Sequence, residues 1–133
     1  MKHILVVDDN KYLLDGLTLH LRMKLGQCSY LTAMNGGSAL EILDATAVDF
    51  LLTDLQMPEM DGYELLERTK KRFPHLPVYV MTGESSPAIE QRVEAAGARR
   101  CIAKPINITR LVKLISSELN VEMDNRTIGC SIA

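Results

Sequence analysis

Apolar runs of strand length alternate with helical patterns along almost the whole chain, and few folds accept that alternation. The runs lie at about Ile4 to Val7, Ser29 to Ala33, Phe50 to Thr53, Val78 to Met81 and Arg100 to Ala103. After the first, Leu13, Leu14, Leu17, Leu21 and Leu25 form one stripe at helical spacing, with Asn10 as its cap and Gly26 as its end. Asn35-Gly36-Gly37-Ser38 reads as a turn in which Ser38 caps a short helix carrying Leu40, Ile42 and Leu43. A helix from about Tyr63 to Arg72 follows the Pro58 to Gly62 loop and stops before Pro74. Ser85-Ser86-Pro87 opens the next, with Ile89, Val93 and Ala96 on one face and Gly97 at its close. The last helix is expected from Ile108 to Leu119. Five βα units with short connections predict an α/β fold, a doubly wound five-stranded parallel sheet covered on both faces.

With 133 residues the chain is long enough for one domain with a real core and too short for two ordinary ones. We expect that domain over Met1 to Asn120. Val121 to Ala133 lacks a clear period and reads as a C-terminal tail or the start of a linker. A net charge of −2 gives no footprint for binding nucleic acid or an anionic membrane. The longest apolar stretches fall far short of the roughly 20 residues that span a bilayer, so no membrane insertion is expected. The N-terminus lacks the long apolar region and small-residue cleavage site of a signal peptide. Cys28, Cys101 and Cys130 are an odd number at wide spacings, making neither a zinc pattern nor a disulfide framework; a reducing cytoplasm fits.

Function is concentrated where the strands end. In an open α/β sheet, ligands bind outside the carboxyl ends of the strands. Asp54 closes the run Phe50-Leu51-Leu52-Thr53, and Asp8 and Asp9 close the first run. Any one of these acids alone would read as a helix cap. Three carboxylates in one crevice repel one another unless a cation joins them or one takes a proton. Hard oxygen donors of this kind suit hydrated Mg²⁺. Asp9 is the expected direct ligand, with Asp8 acting directly or through water and Asp54 and the Gln56 backbone carbonyl completing the set. Asp54 is also the candidate nucleophile, since a carboxylate can attack phosphorus and form an acyl phosphate. Lys104, before Pro105, brings a compact positive charge suited to a phosphoryl oxygen. Thr82 ends the fourth run; its hydroxyl either donates to such an oxygen or caps the Gly83-Glu84-Ser85 turn.

Taken together, the acid pair, central acid, hydroxyl and lysine stand in order at the ends of strands one, three, four and five. In Val6-Val7-Asp8-Asp9-Asn10, Asp54-Leu55-Gln56-Met57-Pro58-Glu59-Met60-Asp61-Gly62, Met81-Thr82-Gly83 and Lys104-Pro105 the chain resembles the receiver domain of bacterial two-component response regulators. The resemblance covers about Met1 to Asn120. It implies a flavodoxin-like sheet of order 2-1-3-4-5. It implies that Asp54 accepts a phosphoryl group from a sensor histidine kinase or histidine phosphotransfer protein, with Mg²⁺ present. Lys104 and Thr82 would each bind a phosphoryl oxygen. Downstream protein targets would read the face made by helix four, strand five and helix five. Such a domain catalyses only its own phosphorylation and dephosphorylation.

One residue departs from the pattern. Receivers usually carry Tyr or Phe three residues before the lysine, and here that position is Cys101. The acyl-phosphate chemistry does not need the ring, but the usual form of signal transmission does. A receiver-like binding module that works without phosphorylation is therefore the alternative. A flavin-binding protein would need a phosphate-cradling loop after strand one, where Asp8-Asp9-Asn10-Lys11 stands instead. A haloacid-dehalogenase-type phosphatase would need Asp at position 56, which is Gln.

Overall fold

The computed structural model describes residues 1–123. They form β1 (His3–Val7), α1 (Lys11–Lys24), β2 (Ser29–Ala33), α2 (Gly36–Ala45), β3 (Phe50–Asp54), α3 (Gly62–Arg72), β4 (Val78–Thr82), α4 (Pro87–Ala95), β5 (Arg100–Ala103) and α5 (Ile108–Leu119). All the strands are parallel, in the order β2-β1-β3-β4-β5. This is the expected doubly wound, flavodoxin-like sheet. Most of the tail expected after Asn120, from 124 onward, lies outside the described residues. Val121 and Met123 pack against the core that α1 and α5 cover.

Strand side chains alternate between two cores, as the two-residue period of a strand requires. Ile4, Val6, Phe50, Leu52, Tyr79 and Met81 face α1 and α5. Leu5, Val7, Leu51, Val78 and Val80 face α2, α3 and α4. Strands β1, β3 and β4 are therefore buried on both faces, which is why they read as continuous apolar runs rather than alternating ones. Phe50 stacks on Tyr79 with ring centroids 4.8 Å apart. The Tyr79 hydroxyl reaches Glu118 of α5 at 3.0 Å, so the stack also fixes the last helix.

Every helix starts at a polar cap that satisfies backbone N–H groups of its first turn: Asn10, Asn35, Asp61, Ser86 and Asn107. Asn10 is where the sequence placed it, and of the Ser85-Ser86 pair it is Ser86 that caps α4. The cap of α2 is Asn35, not Ser38; the Asn35 side chain accepts from the Ser38 N–H at 2.8 Å. The carboxamide precedes the two glycines, which become the first turn. Helix α1 ends at Lys24 with Leu25 as its C-cap, just before Gly26. Gly97 closes α4 in the left-handed region, φ 111°.

Gly62 ties the fold to the loop after β3. A Cβ there would lie 2.6 Å from the Asp54 carbonyl oxygen and 2.6 Å from Leu55 Cα, both backbone atoms. The Gly62 N–H meanwhile donates to the Leu55 carbonyl at 2.8 Å. Gly83 has open space around its missing Cβ. Gly62→Ala should therefore destabilise the chain by about 1–3 kcal/mol, and Gly83→Ala should stay within about 0.5 kcal/mol of the parent. Urea unfolding of the two variants reads the difference; equal midpoints would show that the loop accommodates the methyl group.

Candidate functional site

Register decides which polar side chains meet. Val7 pairs with Thr53, so Asp8 and Asp54 follow at adjacent strand ends. Thr82 pairs with Ala103, so Lys104 follows β5 beside it. The two-residue period then sorts the faces. Asp8 continues the row Ile4, Val6; Asp54 continues Phe50, Leu52; Lys104 continues Ile102. All three rows belong to the face under α1 and α5. This crevice lies where connections leave β1 and β3 in opposite directions across the sheet, the place an open α/β sheet reserves for ligands.

The three side chains are bonded to one another. Lys104 Nζ lies 2.9 Å from Asp8 Oδ2 and 3.2 Å from Asp54 Oδ1. Asp8 Oδ1 accepts from the Asn10 N–H at 2.8 Å, so both of its oxygens are engaged. Asp8 and Asp54 are buried and Asp9 is exposed. Carboxylate oxygens of Asp8, Asp9 and Asp54 all lie within 4.8 Å of one another. At that spacing the two buried carboxylates repel by about 3 kcal/mol at an effective dielectric of about 20. The Lys104–Pro105 peptide bond just beyond the lysine is cis.

The charges respond as their surroundings require. Burial pushes the Asp54 carboxyl above the usual carboxylate range, and the negative charge of Asp8 adds to the rise. Lys104 and a hydrogen bond with the Gln56 backbone pull in the other direction without cancelling it. Burial works against the Lys104 charge, but the hydrogen bond to Asp8 and the pull of Asp54 outweigh it and raise its pKa. Lys104 thus stays cationic. The donor set is three hard oxygen groups with one member open to solvent, which fits a divalent ion that keeps part of its hydration.

Thr82 is fully buried at the end of β4. Its hydroxyl oxygen accepts from the Glu84 N–H at 3.1 Å, so it does cap the turn, and its O–H remains a donor. It continues the row Val78, Val80, on the sheet face opposite the acids. Cys101 pairs with Val80, is half-buried and packs on the α2–α3–α4 side. Burial, then the charges of Glu90 and Glu94, raise its thiol pKa, so it is a neutral, compact side chain at neutral pH.

A link beside the site was not visible in the sequence. The Arg92 guanidinium lies 3.7 Å from the Tyr63 ring centroid, above a recess also lined by Gln56 and Met57. It joins α4, which follows Thr82, to α3, which follows the Asp54 loop. The two residues stand far apart in sequence and belong to no motif, so only the packed helices reveal the pair.

Three comparisons bear on this geometry. The family described as Response regulator receiver domain matches residues 4–116. "Two-component response regulator ARR17" of Arabidopsis thaliana is 32% identical over 132 residues, covering 89% of this chain and 85% of the relative. "Probable cyclic di-GMP phosphodiesterase" of Vibrio cholerae serotype O1 is 34% identical over 129 residues, but there the match covers 92% of this chain and only 27% of the relative. The crystal structure of the signal receiver domain of a DNA binding response regulator protein (merR) from Colwellia psychrerythraea 34H superposes with a TM-score of 0.86 at 30% identity, covering 90% of this chain and 99% of that one.

The raised pKa of Asp54 has a consequence for stability. Between the unfolded and folded pKa values, the folded chain holds the extra proton. Stability therefore falls as pH rises through that window, and the penalty persists above it. Asp54→Asn removes the charge and keeps the shape. Without divalent ions at pH 7 it should melt above the parent, on the order of 2–5 °C, with the gap narrowing as pH is lowered. Melting at or below the parent at pH 7 would contradict this electrostatic account.

Proposed function

This chain belongs to the response regulator receiver domain family, and on that premise we propose that Asp54 accepts a phosphoryl group from the phosphohistidine of a sensor histidine kinase or histidine phosphotransfer protein. The observation that supports the reading best is the single lysine shared between buried Asp8 and Asp54, beside the exposed carboxylate of Asp9. A surface lysine with a capping aspartate would have no reason to be so arranged.

In the proposed step an Asp54 oxygen attacks phosphorus, the phosphorus–nitrogen bond breaks, and its electron pair leaves with the donor imidazole. Attack needs free lone pairs. A carboxylate offers about four acceptor sites, and Lys104 and the Gln56 backbone occupy two on Asp54. Charge then moves onto the phosphoryl oxygens. Lys104 is already at the site and exchanges an Asp54 oxygen for one of these without a long displacement. Thr82 supplies its O–H as a second donor after leaving the face on which it caps the turn. Asp9, Asp8, Asp54 and the Gln56 carbonyl are the groups that would hold Mg²⁺. When bound, the ion supplies positive charge that offsets the transferring group. Gln56 and Glu84 border the approach of water, so they would set how long the phosphoryl group lasts. The chain would turn over nothing but its own acyl phosphate.

The receiver unit would end near Asn120, where α5 closes. The output would pass to a protein partner at the face of α4, β5 and α5, in the cytoplasm. Among the described residues no helix is long and apolar enough to cross a membrane. Cys101 leaves β5 without a large ring to swing, so Thr82 and the loop after it would carry the change toward α4 and its Arg92–Tyr63 link.

Acetyl phosphate with Mg²⁺ should add one phosphoryl group to the intact protein, read by intact mass, and Asp54→Asn should take up none. Labelling of that variant at another residue, or no uptake by the parent, would contradict the assignment.

A further inference from the structure

The output side of the molecule has a charge pattern that the phosphoryl chemistry does not use. Strand β5 is an edge of the sheet, and among the described residues β4 is its single neighbour. Between β5 and α5 runs a groove of about 580 Å³. Ile102, Pro105, Leu111 and Leu114 give it an apolar lining. Arg100, Arg110 and Lys113 stand around it, all exposed, and no acidic side chain lines it.

The pattern has its origin in the periodicity of α5. Leu111 and Ile115 turn into the core, whereas Arg110, Lys113 and Leu114 fall on the flank beside β5. Among the described residues none of the three cations is paired with a carboxylate; Arg68, Arg72, Arg99 and Lys104 all are. Of the acids on α4 and α5, Glu94 forms no ion pair with these three cations, although its charge reaches Cys101 at the groove wall, and the other two are engaged. Glu118 takes Arg99 and the Tyr79 hydroxyl, and Glu90 accepts from Ser85. Three like charges without an ion pair thus surround an apolar strip in a chain whose net charge is −2.

We propose that this groove receives a short acidic segment of a partner protein, with an apolar side chain against Ile102 and Leu114 and carboxylates against Arg100, Arg110 and Lys113. The inference rests on the reading that this face carries the output, and it deepens that reading by naming the partner's chemistry. The apolar strip provides contact area. The cations select: a basic segment is repelled, and an acidic one is drawn in at a rate and affinity that fall with salt.

The test is an NMR titration of the isotope-labelled full chain with a synthetic peptide of alternating Asp and Leu, beside its Lys–Leu counterpart. The acidic peptide should shift amides of residues 100–103 and 110–117, and added salt should weaken the effect. The double reversal Arg110→Glu, Lys113→Glu should cut affinity about tenfold or more without lowering the thermal midpoint. Equal shifts with the basic peptide, shifts confined to other surfaces, or no effect of the reversal would overturn the proposal. So would the same amides moving with protein concentration alone, which would make a second copy the occupant, or with a single-stranded oligonucleotide. The titration needs no phosphoryl group. Its failure would leave the role of Asp54 standing, and failed phosphorylation would leave the titration readable.

Discussion

Lys104 holds together two carboxylates that would otherwise push their strands apart. Asp8 and Asp54 end adjacent parallel strands, and parallel register leaves them no choice but to meet. Each is buried, so water screens them poorly. The ammonium group between them makes the arrangement tolerable, yet one positive charge faces three carboxylates once Asp9 is counted. A local deficit of positive charge is thus built into the fold. The deficit suits a divalent ion, and it agrees with the proposed role of Asp54 as an acceptor with free lone pairs.

The rest of the molecule keeps that deficit in place. Burying β1, β3 and β4 on both faces fixes their register, since a slip by one residue would turn every side chain to the other core. Phe50, Tyr79 and Glu118 lock α5 over β3 and β4, the strands that end in Asp54 and Thr82. The Gly62 backbone closes the loop after Asp54 so tightly that a methyl group has no room. On the opposite face Thr82 and Cys101 sit close to α4, and Arg92 clasps Tyr63 across α4 and α3. The acids therefore lie on the sheet face under α1 and α5, and Thr82, Cys101 and α4 on the other, joined through the strand ends.

Much of this was legible from residue order alone. Strand-length apolar runs ending in Asp8, Asp54, Thr82 and Lys104 locate the strands and point their ends at one crevice, because a parallel sheet places all such ends on one side. The cap of α2 was misread because Ser38 and Asn35 are both good caps, and only the turn geometry shows that Asn35 reaches the N–H of Ser38. The shared lysine was legible only in half. Its proximity to Asp54 followed from strand position, but its shorter bond to Asp8 depends on side-chain reach across two strands. The Arg92–Tyr63 link and the cationic groove beside β5 left no local signature, since each is made by residues that only tertiary packing brings together.

The claim that the acid cluster is electrostatically incomplete is most directly tested by calorimetric titration of Mg²⁺ into the full chain at pH 7, beside Asp9→Ala. Asp9 is the exposed member of the cluster, so its removal takes away a proposed ligand without opening the core. The account predicts one saturable site in the parent and an affinity lower by about tenfold or more in the variant. Unchanged affinity in Asp9→Ala, or no saturable binding by the parent, would contradict it.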